Sequence, residues 1–383
     1  MTPTRRDFIR TTGVVGAGLA MGGASACAGE ASPPTDALPS PKRILIFGGT
    51  GFIGPHTVQY ALERGHRVTT FTRGRSETAL PPEVEQLVGD RNDDHSALEG
   101  RTDFDVVIDN NGQDYRWVET STELLKDVVD QYIFVSSISA YKLEGFDWSR
   151  ADQVMVEPLV GTDYERITES QTEGWTYGDA TDYGHYKAMS EDITHAAFPG
   201  RATIVRPGLI VGPGDRTNRW GYWPKRIDEG GEVLAPGNPE HANQVIDQRD
   251  LTEWIVRLAE DGTPGNFNGT GPGERMSMGS MLEQIGTATD TPHTLTWVPE
   301  AFLEAQELQP WGDFPAWIPG DPLMFVDVSA SVAAGLTFRP IQVTARDVIA
   351  FEKSRPAEEL EGRRFGITRE REQEVLEAWH AAM

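Results

Sequence analysis

Between Arg43 and Gly65 the chain passes from an unbroken apolar run to a helical repeat. Ile44, Leu45, Ile46 and Phe47 are consecutive apolar residues, the mark of a short strand buried on both faces. Val58, Ala61 and Leu62 then recur on one helical face, and Gly65 closes the helix. The same alternation continues downstream. Strands are predicted over His66–Thr72, Val84–Val88, Phe104–Asn111, Tyr132–Ser137 and Ala202–Val205. Helices are predicted from near Asp93 or Asp94, either of which can cap, and over Glu119–Val129 and Tyr183–Ala197. Strands alternating with helices specify an α/β chain built on a doubly wound parallel sheet. Shorter segments follow: Gln244–Ile246, Leu251–Ala259, Gly265–Asn268, Met278–Ala288, Leu295–Val298 and a charged final helix, Arg369–Ala382.

The turn after the first strand narrows this picture. Gly48, Gly51 and Gly54 follow at three-residue spacing, and Pro55 suits a first helical turn. Strand, glycine turn and helix in this order form a Rossmann dinucleotide site. Gly48 permits the tight turn, Gly51 lets the backbone approach a pyrophosphate, and Gly54 lets the helix pack closely. Thr50, Phe52 and Ile53 complete the turn. The phosphates would lie at the helix N-terminus, where free N–H groups and the dipole favour negative charge. NAD sites carry an acidic residue near the end of the second strand. Here Thr72 is followed by Arg73, Gly74 and Arg75, which would hold a 2′-phosphate, so NADP is favoured over NAD. Asp90 and Arg91, which follow the third strand, are placed among the cofactor-binding residues; Asp90 would either reach the adenine or serve as a loop residue. Asp109 to Gly112 should lie beside the cofactor, outside the carboxyl end of its strand.

Tyr183 and Lys187 stand at i and i+4, on one face of the predicted helix. An ammonium beside a phenol favours the phenolate, which lets a tyrosine act as acid or base near neutral pH. Ser136 and Ser137, at the end of the fifth strand, offer a hydroxyl to orient a substrate oxygen. Either motif alone is common. In this order, glycine turn, serine pair and Tyr-x-x-x-Lys resemble the extended short-chain dehydrogenase/reductase superfamily, the NAD(P)-dependent epimerase/dehydratase group. The resemblance covers Lys42 to about Ala259. It implies Tyr183 as acid/base, Lys187 as its partner and as a ribose ligand, and Ser137 as the active-site hydroxyl. Ser137 is preferred to Ser136 from its spacing to Ala140-Tyr141. Pro207, within Arg206-Pro207-Gly208, would turn toward nicotinamide and substrate.

Three features depart from the family. The gap between Ser137 and Tyr183 is long, the acidic residue of the second strand is missing, and GGTGFIG and RPGLIVGPGD resemble an atypical branch related to plastid RNA-binding proteins. That branch often lacks the catalytic pair, which is present here. The resulting plan is a leader and linker at 1–41, a Rossmann domain at 42–206 with an insertion at 142–181, and a smaller C-terminal α/β substrate-binding region at 207–383, with some segments returning to the core.

Composition changes the setting. Thr4-Arg5-Arg6-Asp7-Phe8-Ile9-Arg10, an uncharged segment to Gly23 and Ala24-Ser25-Ala26 resemble a twin-arginine export signal with its cleavage site. Export by that machinery would place the protein outside the cytoplasm, carried folded with its cofactor. Cys27, the single cysteine, is either a lipid acceptor, the only membrane attachment expected beyond the signal, or incidental. Ala31–Pro41 reads as a tether. A formal charge of −25 opposes nucleic-acid binding. The eight dispersed histidines give no zinc pattern, and no serine-hydrolase elbow occurs. Trp220, Tyr222 and Trp223 would line a sugar pocket or form core, and core is the better reading. The sequence thus favours an oxidoreductase or epimerase acting on a hydroxyl or carbonyl, with a non-catalytic dinucleotide- or RNA-binding relative as the alternative.

Overall fold

The computed structural model describes residues 39–110, 112–141, 183–217, 219–356 and 365–383. The leader, Cys27, most of the linker and the 142–181 insertion lie outside them, as does Asn111. The first apolar run forms β1 (Arg43–Phe47), fully buried from Ile44 onward. Alternation along the strand divides its side chains between two layers. Ile44 and Ile46 join Val58, Ala61, Leu251 and Trp254 on one side, and Leu45 and Phe47 join Val118, Leu125 and Phe198 on the other. Helices cover both faces, which is why the strand carries no polar position.

The other strands are β2 (Arg67–Thr72), β3 (Glu85–Val88), β4 (Val106–Asp109), β5 (Gln131–Val135), β6 (Ala202–Pro207), β7 (Leu209–Val211), β8 (Gly231–Pro236), β9 (Ala242–Asn243), β10 (Val245–Asp247), β11 (Gly265–Gly269), β12 (Met276–Ser277) and β13 (His293–Val298). Seven of them form one parallel sheet in the order β11-β6-β5-β4-β1-β2-β3. Strand order reverses between β1 and β4. That topological switch opens the crevice in which doubly wound sheets bind ligands.

The first helices are α1 (Gly54–Glu63), α2 (Tyr115–Leu125) and α3 (Tyr183–Ala197). The second begins four residues earlier than its apolar pattern indicated, because Asp114 caps it by accepting from Arg116 N–H. No α-helix forms at Asp93 or Asp94. A short 3₁₀ turn, Ser96–Leu98, stands there, and Asp94 accepts from the Ser96 N–H and hydroxyl. A cluster of short acidic side chains caps a tight turn as readily as a long helix.

Later segments return to the sheet: β11 pairs with β6, and the helix Gln248–Asp261 packs on α1. A separate core lies beyond residue 208, around the parallel pair β8–β13. Trp220, Tyr222 and Trp223 are buried in it, and the Trp223 indole donates to the Pro315 carbonyl at 2.5 Å. These aromatics are core and do not line the cavity described below. Burial pushes the Tyr222 phenol far above its usual range.

Candidate active site

The crevice at the switch point is built first by the glycine turn. Gly48 has φ 77°, a left-handed conformation that other residues adopt only at a cost, and it accepts a hydrogen bond from Gly51 N–H. A β-carbon on Gly54 would stand 2.3 Å from the Gly48 oxygen and 2.4 Å from the Gly49 carbonyl carbon, both backbone atoms. One on Gly49, which the three-residue spacing passed over, would stand 2.6 Å from the Thr70 methyl. Gly51 differs: its β-carbon would meet only the Gly48 oxygen, at an ordinary 3.5 Å. Nothing among the described residues requires glycine there, whereas close approach of a ligand would. Gly51→Ala should therefore change stability by less than about 0.5 kcal/mol while weakening dinucleotide binding. Thermal unfolding and calorimetric titration of one preparation check this, and unchanged affinity would remove the turn from the site.

Gly48, Gly51, Phe52, Ile53, Ser137, Tyr183, Lys187 and Pro207 line one cavity of about 570 Å³. The size suits a small-molecule site. Asn110, just past β4, lines it too, and both polar atoms of its amide are buried with no hydrogen-bond partner among the described residues. Buried amides are ordinarily satisfied, so the group is left for a ligand. An open glycine cradle with an unpaired amide beside it fits a dinucleotide.

At the chemical end, Lys187 is almost fully buried. Its Nζ donates to the Val135 carbonyl at 2.9 Å and lies 5.6 Å from the centre of the Tyr183 ring. Tyr183 opens α3 and is 45% exposed, enough to meet a substrate. Ser137 accepts from Ser139 N–H at 3.1 Å, which leaves its own proton to donate. Ser136 is committed elsewhere: its hydroxyl donates to Glu191 Oε1 at 2.5 Å, and Glu191 is clasped by the Arg206 guanidinium at 2.9 and 2.7 Å. The two serines differ because Ser136 continues the strand into the interior while Ser137 caps the turn Ile138–Ala140.

Other sequence-nominated residues stand apart from this cavity. Thr50 lines an adjoining, more open one of about 1160 Å³ together with His56 and Thr78. Arg73 is exposed at the end of β2, and its charge, with that of Arg75, helps hold the Asp90 carboxyl below its usual range, after the larger effect of the Asn92 backbone N–H. Arg91 is corrected. Its guanidinium is buried and bound to Asp109 at 2.7 and 2.8 Å and to Ser121 at 3.0 Å, and it lies over the Phe47 ring. It braces the ends of β1 and β4 from inside the protein. Trp311, Asp321 and Arg219, which also line the cavity, were not singled out from the sequence. They come from irregular loops whose only mark is proline and glycine.

The sheet order, the glycine turn and the lysine beside the tyrosine define a dinucleotide-binding protein of the doubly wound class. More narrowly, the chain belongs to the NAD dependent epimerase/dehydratase family, which it matches over residues 44–268. It is 41% identical over 195 residues to the chloroplast stem-loop binding protein of 41 kDa b from Arabidopsis thaliana, a match spanning 43% of this chain and 49% of that protein. It is 25% identical over 181 residues to the 2-alkyl-3-oxoalkanoate reductase of Stenotrophomonas maltophilia, spanning 45% and 52%. The chain thus spans about half the length of these curated relatives. Among solved structures, Bordetella bronchiseptica WbmH in complex with NAD+ superposes with a TM-score of 0.57 at 17% identity, covering 82% of this chain and 99% of that one. UDP-glucuronic acid 4-epimerase from Bacillus cereus in complex with NAD gives 0.56 at 16% identity, covering 81% and 96%. At these identities the structures speak for the fold, which is the one expected.

Proposed function

We propose that this protein is an NAD(P)-dependent oxidoreductase or epimerase acting on a hydroxyl or carbonyl group of a small substrate. One observation carries the reading: Tyr183, Lys187 and Ser137 line the same cavity as the glycine turn. When bound, a nicotinamide dinucleotide supplies the hydride acceptor or donor. The chain's residues do the rest. Ser137 donates its free proton to the substrate oxygen and holds it in place. Tyr183 takes or returns the proton of that oxygen. Lys187, fixed by the Val135 carbonyl, sets its ammonium group beside the Tyr183 ring and has two further N–H donors for a ribose. The Arabidopsis relative's name raises the alternative of RNA binding. A charge of −25 opposes it, since phosphate binding needs a basic surface.

Arg73 and Arg75 support NADP as the preferred form, because no carboxylate competes at the end of β2. Loss of charge-assisted bonds to a phosphate costs about 1.5–3 kcal/mol. An Arg73→Gln, Arg75→Gln variant should therefore bind NADP roughly 10- to 100-fold more weakly and bind NAD as before. Titration with both nucleotides checks this, and equal losses for the two would remove the preference. The leader supports export by the twin-arginine route with the dinucleotide already bound. Fractionation that finds the chain in the cytoplasm with its leader intact would overturn that part. The central test is mass spectrometry of the dinucleotide released from full-length protein purified without added nucleotide, with calorimetric titration of the stripped protein. Failure to carry or bind any nicotinamide dinucleotide would sink the proposal.

A further inference from the structure

The wall of the cavity that holds Tyr183 and Ser137 also includes Arg219, Trp311, Ile318 and Asp321. With the glycine turn assigned to the dinucleotide, this part of the wall is assigned to the substrate. Its charges are unusual for a site that would take a phosphorylated compound. Arg219 is the cation on the wall, and its guanidinium already donates to the Thr217 hydroxyl at 2.8 Å and to the Asp215 carboxylate at 3.3 Å. Asp321 accepts from Leu323 N–H at 2.8 Å through one oxygen, and no described cation pairs with it. Burial raises its carboxyl above the usual range. So the described wall presents one compensated cation and one uncompensated carboxylate.

Trp311 supplies the other half. It has φ 61°, and Glu307 and Ala316 in the same loop are also left-handed. Positive φ at a bulky non-glycine residue is a strained geometry, of the kind that clusters at ligand clamps. The loop holds the indole against the cavity although a relaxed backbone would be lower in energy. An aromatic ring and a carboxylate acceptor lining one cavity are suited to a compound with apolar C–H faces and several hydroxyls. A nucleoside diphosphate would instead bring two negative charges toward Asp321, where opposite charge or helix N-termini are needed.

We propose that the reacting alcohol is carried on an uncharged polyhydroxyl compound, a glycoside or polyol held by Trp311 and Asp321, and not on a nucleoside-diphosphate sugar. This rests on the oxidoreductase or epimerase reading above. Asp321 is then a specificity-determining residue whose free oxygen accepts from a substrate hydroxyl distant from the reacting carbon.

The test uses full-length protein saturated with oxidised dinucleotide. Methyl hexopyranosides, hexitols and UDP-glucose are titrated against it by calorimetry. At least one neutral compound should bind more tightly than UDP-glucose. Asp321→Asn keeps the acceptor used by Leu323 N–H, so the loop should fold, yet it should bind that compound roughly 10- to 100-fold more weakly with dinucleotide affinity unchanged. Trp311→Phe, with its smaller ring, should weaken the same compound in the same way. Tighter binding of UDP-glucose, no binding by any neutral compound, or no effect of Asp321→Asn overturns the proposal and leaves the dinucleotide reading intact. Failure of the dinucleotide to saturate the protein overturns both.

Discussion

Tyr183→Phe should lower turnover by about 10²- to 10⁴-fold, the range for loss of a positioned acid–base group, while dinucleotide affinity and unfolding temperature stay the same. The phenol is the group that meets the substrate oxygen. Removing its hydroxyl leaves the ring that packs over Lys187 and leaves the Lys187 bond to Val135 intact. The site is therefore preserved in shape and lacks only the proton carrier. Because Tyr183 is 45% exposed at the start of α3, little packing energy depends on its hydroxyl. The measurement is steady-state turnover with any substrate found by the titrations above, beside a dinucleotide titration of the same variant. Retained turnover would show that another group moves the proton. A parallel fall in dinucleotide binding would assign the residue to binding.

The second large effect is on stability. Glu191 and Arg206 are 0% and 1% exposed and make a bidentate pair beneath the substrate turn. Removing one member of a buried pair leaves the other charged and without its partner, which typically costs about 3–5 kcal/mol. Glu191→Leu should lose that much in denaturant unfolding, and it should also affect the site. Glu191 is the acceptor for the Ser136 hydroxyl, and Arg206 lies over the Tyr141 ring at 4.8 Å. The pair thus ties α3, which carries Tyr183 and Lys187, to β6, and the Ser136 bond ties it to the chain leaving β5 just before Ser137. An Arg206→Met, Glu191→Leu double variant should recover part of the lost stability, because no unpaired charge remains. If the single variant costs less than about 1 kcal/mol, the ordinary effect of a point change, the pair is not holding the two elements together.

The parts of this site that could be read in the sequence are those whose cause is local. A buried strand, a turn that needs glycine and a helix with an apolar face are neighbours along the chain. Their pattern therefore states their arrangement. The placement of Asn110 followed from a rule about strand ends and not from its own identity. Arg91 could not be read, because its partner Asp109 lies a strand away and only the β1–β4 pairing brings Phe47 beside both. The same acidic cluster that caps the turn at Ser96 carries no sign of how long the turn will be. Trp311 lies in a loop set by left-handed non-glycine residues, Glu307, Trp311 and Ala316, and Asp321 follows Gly320 at φ 76°. No periodicity or propensity marks such positions, since they exist only when surrounding structure imposes them. The helix Tyr222–Asp228 was missed for another reason: it is seven residues long, contains a proline, and buries Arg226 together with Tyr222, Trp223 and Ile227, so no apolar face separates from a polar one.

The bracing of the crevice bears on how long a ligand stays. Arg91, Asp109, Tyr132 and Ser121 form a closed set of buried bonds under the mouth between β1 and β4. Burial and the adjacent Asp109 carboxylate push the Tyr132 phenol well above its ordinary range, so it stays protonated and keeps donating to Asp109 at 2.8 Å. A mouth kept open by the protein's own bonds has little left to be ordered by its occupant. The free energy of association is then spent less on immobilisation, and the gain is felt mainly as slower departure. Weakening this set, for instance at Ser121, would shorten residence time before it altered the chemistry. Under the proposed export, with no replacement nucleotide at hand, the number of catalytic cycles per loaded molecule would be fixed by that residence time.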